Sequence, residues 1–365
     1  MKITEIRLGM LRVPLKTPFK TALRTVDTVH DVVVQIHTDS GHIGWGEAPA
    51  TAVITGDTHG SIIEAIATCI GPRLIGREVA DLNRNCTLVQ GAMIHNTSAK
   101  AAVEIALYDL WAQLHNAPLY QMLGGGEPVI TSDITISVDH IDKMVADSLS
   151  ALERGFESLK IKVGKDIGLD IERVKAIHAA VDGRALLRLD ANQGWTAKQA
   201  VFAMTALENA GVELELLEQP VKADDIAGLK YVTDRVNTPV MADESAFSPL
   251  QAIDLIQQRA ADIINIKLMK TGGLSNAIKV ADIAALHGVP CMIGCMLESS
   301  ISVAAAVHLA VAKSDVISKI DLDGPSLCAF NPVTGGVNFN ESEISITDAP
   351  GLGIVRVDAL EMLAP

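Results

Sequence analysis

The 365-residue sequence is poor in aromatic residues, 3% of the total, although 48% of it is hydrophobic. With so few rings, the interior has to be filled by Ala, Val, Ile and Leu, which suits helices packed on buried parallel strands. Cysteine is scarce too. The five present (Cys69, Cys86, Cys291, Cys295 and Cys328) are an odd number without a C-x-x-C pair. That argues against a disulfide framework or a thiolate zinc site and for reduced, mostly buried thiols. Long apolar runs are missing: the longest, at 301–312, contains Ser302 and His308 and is too short to span a bilayer. The first fifteen residues lack an apolar signal core, so a cytoplasmic protein without a membrane partner is expected. Positive charge is also in deficit. A formal net charge of −14 disfavours nucleic acid and anionic membranes, which need a basic face, but leaves a small anionic ligand open. The ten histidines are scattered without an H-E-x-x-H, and His308 reads as a satisfied core residue.

Residues 2–8 and 31–37 read as strands, and Asp39-Ser40-Gly41 as a hairpin turn before Ile43-Gly44-Trp45, so an antiparallel sheet opens the chain. The polar segment 16–25 is read as a functional loop, and 49–58 as a second. Helical periodicity then runs from Ser61 to about Leu123, with Ser98 as a helix cap, and Gly124-Gly125-Gly126 with Pro128 marks a domain boundary. Beyond it, β-rich runs at 134–138, 158–163, 186–190, 214–218, 239–243, 262–267, 289–294 and 318–322 alternate with helical segments. This is the pattern of a parallel barrel. An open doubly wound sheet is disfavoured because no G-x-G-x-x-G follows the first strand. The expected fold is therefore α/β: a capping domain of α+β type at 1–126, a barrel at 127–325, and a segment at 326–365 that packs back on the capping domain.

Lys160 and Lys162 lie two apart in a strand and so share a face. On an edge strand they would face water and discourage aggregation. Inside, each would make the other harder to protonate, and a neutral lysine is a base. The polar residues near the carboxyl ends of successive runs are Lys160 and Lys162, Asp190, Glu218, Asp243 and Lys267, at separations of 30, 28, 25 and 24 residues. In a barrel these ends surround one mouth. Each acid alone reads equally well as a helix cap or an arginine partner, but three carboxylates together would repel, and without a metal at least one would have to be protonated; a divalent cation resolves this, and all-oxygen ligation favours Mg²⁺ over Zn²⁺. Lys162 and Lys267 would then stand on opposite walls of the mouth. A substrate carboxylate held by the metal would present its α-carbon to two bases, with Lys160 helping to stabilise the enediolate.

Lys160-Ile161-Lys162, Leu189-Asp190-Ala191-Asn192-Gln193-Gly194-Trp195, Glu218-Gln219-Pro220, Ala242-Asp243-Glu244-Ser245 and Asn265-Ile266-Lys267 together resemble the enolase superfamily, muconate-lactonising subgroup. A lysine base working with Mg²⁺ is the pattern of that superfamily. The resemblance implies a modified TIM barrel, (β/α)7β, whose capping domain is completed by the C-terminal segment. It implies Asp190, Glu218 and Asp243 as ligands of one Mg²⁺ per subunit, Lys162 and Lys267 as opposed bases, and Lys160 as their electrostatic partner. Residues 20–25 and Asp321-Leu322-Asp323 resemble the dipeptide epimerases of the subgroup. Asp321 and Asp323 would accept a substrate ammonium, and the Arg24 fork would clamp a glutamate side chain. Thr135, Cys295 and Leu297 occupy positions of substrate contact. Outside such a barrel, a D-x-D after a strand is more often a turn and a loop arginine a solvated charge. The implied reaction is a two-base 1,1-proton transfer at the C-terminal residue of a dipeptide, Ala-Glu, in keeping with cell-wall peptide metabolism. Assembly as a homo-oligomer is expected. The alternatives are epimerisation of other dipeptides, muconate cycloisomerisation, o-succinylbenzoate synthesis, Schiff-base chemistry and a non-catalytic metal scaffold.

Overall fold

A computed structural model describes residues 1–364. The chain opens with β1 (Ile3–Lys20), β2 (Thr25–Thr38) and β3 (Ile43–Pro49), paired antiparallel in that order. β1 and β2 extend well beyond their hydrophobic runs, so most of the segment read as a loop at 16–25 is strand. The ladder stops at Pro14, which has no N–H to offer, and resumes at Phe19↔Val26 and Lys20↔Thr25. Only residues 21–24 turn. There the Thr21 N–H donates to the Arg24 carbonyl at 3.0 Å, and the Thr21 hydroxyl accepts the Leu23 and Arg24 N–H groups at 3.1 and 3.2 Å.

The buried helix Thr97–Leu114 lies against β3, where a Cβ on Gly46 would stand 1.9 Å from the Ala102 carbonyl oxygen. Only glycine permits that approach. The helix begins at Asn96, in the left-handed region at φ 50°, and not at the expected Ser98. Ser98 is buried inside the first turn, and its N–H is satisfied from outside by the Asp57 carboxylate at 3.0 Å.

After β4 (Val129–Thr131), eight parallel strands follow one another round a barrel in chain order. They are β5 (Ile134–Ile136), β6 (Ser158–Lys162), β7 (Leu186–Asp190), β8 (Leu216–Glu218), β9 (Val240–Ala242), β10 (Ile263–Ile266), β11 (Cys291–Gly294) and β12 (Ile317–Asp321). Major helices separate them, but β12 is followed only by the single turn Gly324–Leu327, which makes the barrel (β/α)7β. Side chains alternate: Leu159, Ile161, Leu189 and Ile266 pack outward on the helices, while Leu216, Met241, Ile263 and Met292 form a small apolar plug of their own within the barrel. The first and last barrel strands meet through single contacts. The Asp133 N–H donates to the Ile320 carbonyl at 3.2 Å, and the Leu322 N–H donates to the Ser132 hydroxyl at 2.8 Å.

The remaining strands are β13 (Val333–Gly335), β14 (Val337–Asn340), β15 (Glu343–Ile346), β16 (Ile354–Val357) and β17 (Leu360–Met362). β14 and β15 extend β4, β13 pairs with β16, and β17 pairs with β1 at Gly9↔Met362 and Leu11↔Leu360. The five cysteines are free, and among the described residues no helix is long and apolar enough to cross a membrane. His308 is 1% exposed, and its Nδ1 accepts the Tyr120 N–H at 2.9 Å. Burial pulls its pKa down to about 3, so the ring stays neutral.

Candidate active site

β6 is paired on both sides, by β5 and β7, so Lys160 and Lys162 are not on an edge. Both face inward, 2% and 5% exposed. Lys160 Nζ lies 2.6 Å from Asp321, 2.6 Å from Glu218 and 3.2 Å from Asp190; Lys162 Nζ lies 2.5 Å from Asp190. On the other wall Lys267, just beyond β10, pairs with Asp243 at 2.8 Å. Because β6 and β10 are four steps apart in an eight-strand ring, the two lysine walls oppose each other across its width.

The three carboxylates at the ends of β7, β8 and β9 are buried at 0–1% exposure. They do not form a ready-made metal cage: among the described residues, no group of three or more acidic, His or Cys side chains is placed to hold an ion. Lysine ammonium groups stand among them instead and relieve the repulsion expected from the sequence. Burial disfavours the charge of Asp190, but Lys162 and Lys160 outweigh it and bring the carboxyl to about 2. Asp243 is likewise held low, with Lys267 and Lys270 overcoming burial. Glu218 goes the other way: burial and the Asp190 charge lift it to about 7. Burial works against Lys160 and Lys267 as cations, yet the surrounding carboxylates raise both above the ordinary range.

Several residues here escaped the sequence reading. Lys270, fully buried, lies 2.6 Å from Asp243 and donates to the Asn265 carbonyl at 2.8 Å; its signal was the i, i+3 spacing from Lys267. Asn265 donates to Glu218 at 2.9 Å, and the Asn192 N–H donates to Asp190 at 2.8 Å. Glu244, next to Asp243, is buried with neither carboxyl oxygen hydrogen-bonded, and burial and the Asp243 charge lift it to about 8. A buried orphan carboxyl beside an all-oxygen donor set fits a hard divalent cation such as Mg²⁺.

A cavity opens above the lysines. Lys160, Lys162, Lys267, Thr135, Cys295, Leu297, Asp321 and Asp323 line it from the barrel, and Phe19, Thr21, Leu23, Arg24, Val53 and Ile54 cover it from the capping domain. All the expected substrate-contact residues are thus brought to one chamber, with Asp190, Glu218 and Asp243 behind its lysines. Phe19 places its ring 5.7 Å from Lys162 Nζ. Arg24 is half-buried, and burial lowers its pKa against the pull of Asp31. Asp323 accepts the Thr135 N–H at 2.7 Å, and burial with the Asp321 charge lifts it to about 6. Lys160 overcomes burial to hold Asp321 low. The Cys295 N–H donates to the Asp321 carbonyl at 3.2 Å, while burial pushes its thiol well up.

Two family descriptions match this chain: "Mandelate racemase / muconate lactonizing enzyme, N-terminal domain" over residues 3–124 and "Enolase C-terminal domain-like" over residues 143–359. The chain is 51% identical to an L-Ala-D/L-Glu epimerase of Clostridium acetobutylicum, covering 98% of this chain and 100% of the relative. The structure of a substrate-liganded complex of the L-Ala-D/L-Glu epimerase from Bacillus subtilis superposes with a TM-score of 0.96 at 49% identity, over 98% of this chain and 99% of that one. A dipeptide epimerase from Enterococcus faecalis, complexed with Mg and L-Leu-L-Tyr, superposes with a TM-score of 0.94 at 41% identity, over 98% and 100%.

Proposed function

The chain belongs to the enolase superfamily, in its mandelate racemase and muconate-lactonising branch, and on that premise we propose that it is a Mg²⁺-dependent dipeptide epimerase interconverting L-Ala-L-Glu and L-Ala-D-Glu. The observation that carries this reading is the opposition of Lys162 and Lys267 on strands four apart, facing one cavity. Asp190, Glu218 and Asp243 are the residues to hold the ion, whose charge would offset theirs and polarise the substrate carboxylate. Lys162 takes the α-proton from the S configuration while Lys267 returns one to the opposite face; the reverse direction exchanges their roles. Lys160 holds the negative charge that the carboxylate gains when the proton leaves. Asp321 and Asp323 receive the ammonium of the N-terminal residue, and Arg24, entering from the cap, receives the glutamate side chain. Muconate and o-succinylbenzoate precursors carry no ammonium for that acidic pair. Cytoplasmic turnover of cell-wall peptide is the setting such a substrate suits.

The test is incubation of L-Ala-L-Glu with enzyme and Mg²⁺ in D₂O. Appearance of L-Ala-D-Glu with deuterium at the glutamate α-carbon is expected. Absence of both isotope and epimer would sink the reading, and loss of activity in EDTA separates it from Schiff-base chemistry.

A further inference from the structure

The cap meets the barrel through three buried acids. Asp31 on β2 and Glu47 on β3 are diagonal neighbours, since Glu47 stands opposite Val33, and Glu298 follows β11; their exposures are 2%, 0% and 3%. Glu47 accepts the Ser299 N–H at 3.1 Å on Oε1, and on Oε2 the Ser302 N–H at 3.1 Å and the Ser302 hydroxyl at 2.9 Å. Glu298 folds back so that Oε1 accepts the Met296 N–H at 2.6 Å, while Oε2 is in hydrogen-bond contact with the Ser302 hydroxyl. The Ser302 hydroxyl therefore has a carboxyl oxygen on either side and one hydrogen to give. Both contacts are satisfied only if one acid carries a proton and donates it to the hydroxyl oxygen. Both Glu47 oxygens already accept backbone N–H groups. Glu298 Oε2 faces the hydroxyl alone, so the proton belongs there.

We infer that Glu298 acts as a protonated carboxyl and is a positioning residue: with Glu47 it fixes the backbone at 295–297, the wall of the cavity that meets the dipeptide. The inference rests on the epimerase reading for its substrate. Two circumstances agree with it. Burial, with Glu47 adding to it against the pull of Ser302, Met296 and Lys267, lifts Glu298 to about 7. Asp31, also facing this cluster, is lifted by burial and by Glu47, with Arg24 opposing. The remaining titratable neighbours are two thiols, Cys295 beside Glu298 and Cys328 beside Glu47 and Asp31, and burial pushes both up.

Glu298→Gln reproduces the hydrogen count, its amide oxygen accepting from Met296 and its NH₂ donating to Ser302; Glu298→Ala removes both contacts. Glu298→Gln is expected to keep KM and kcat near wild type and to hold KM flat above pH 7, where the wild-type KM rises. Glu298→Ala, and Ser302→Ala should the first fail to fold, are expected to raise KM about tenfold, the scale of one lost buried hydrogen bond, with kcat little changed. Amide exchange over residues 291–303 should quicken in Glu298→Ala and Glu47→Ala and match wild type in Glu298→Gln. A Glu298→Gln variant that binds as poorly as Glu298→Ala, a wild-type KM flat from pH 6.5 to 8.5, or equal exchange in all variants would overturn the inference. If wild type turns over no dipeptide, the epimerase reading fails, and the exchange comparison alone judges the placement of Glu298.

Discussion

Arg24 and the two opposed lysines divide the work of recognition and chemistry, and substitution should separate them. Arg24→Met is expected to raise KM for L-Ala-L-Glu about ten- to a hundredfold, the range for losing a charge-assisted hydrogen bond, while dipeptides with an apolar second residue lose far less. Steady-state kinetics on the two substrate types checks this, and equal losses on both would remove Arg24 from side-chain recognition. Lys267→Ala should lower epimerisation by about 10² to 10⁴. The protonation partner on the other wall survives, so deuterium exchange of the L,L isomer through Lys162 should continue and be visible by NMR. The lysines and the acids they pair with were legible because each falls at a strand end one βα unit from the next. Glu244 and Glu298 were not. Their meaning depends on missing partners and shared protons, which spacing does not encode.

Among elements, the barrel strands could be read from their β-rich runs between helical segments, whereas of the long ribbon of β1 and β2 only the stretches at 2–8 and 31–37 could. Its outer half alternates polar residues that face the solvent and the cavity, and Pro14 interrupts the ladder where a loop would otherwise be inferred. The contact between Glu47 and Ser302, 255 residues apart, leaves no local trace at all. The seating of the helix Thr97–Leu114 on β3 depends on Gly46. Gly46→Ala drives a methyl against backbone that cannot move aside, and a loss of about 3 kcal/mol is expected in urea unfolding. A loss below about 0.5 kcal/mol, the scale of an ordinary surface change, would mean that the helix shifts freely.

For the molecule as a whole, His308 makes stability depend on acid. Its folded pKa of about 3 lies below the ordinary value of 6.5, so the unfolded chain binds a proton that the folded chain refuses. The histidine's contribution is intact above about pH 6.5 and is lost as pH falls toward 3. His308→Gln keeps an acceptor for the Tyr120 N–H without the titration, so its stability relative to wild type should improve by about 1 to 3 kcal/mol between pH 7 and pH 4. Paired denaturant curves at the two pH values measure this. Mg²⁺ should raise the melting temperature in a concentration-dependent way, and EDTA reverse it, because the ion binds only the assembled carboxylates. A melting curve insensitive to both would remove the metal from this site.

The pairing of β17 with β1 also sets a timetable for synthesis. Leu11 leaves the ribosome about 350 residues before Leu360 arrives to cover it, an interval on the order of 20 to 70 s at ordinary elongation rates. Throughout that time β1 offers an uncovered edge to other chains. Stalling late in translation should therefore prolong the exposure of this edge at Gly9–Leu11 and favour aggregation.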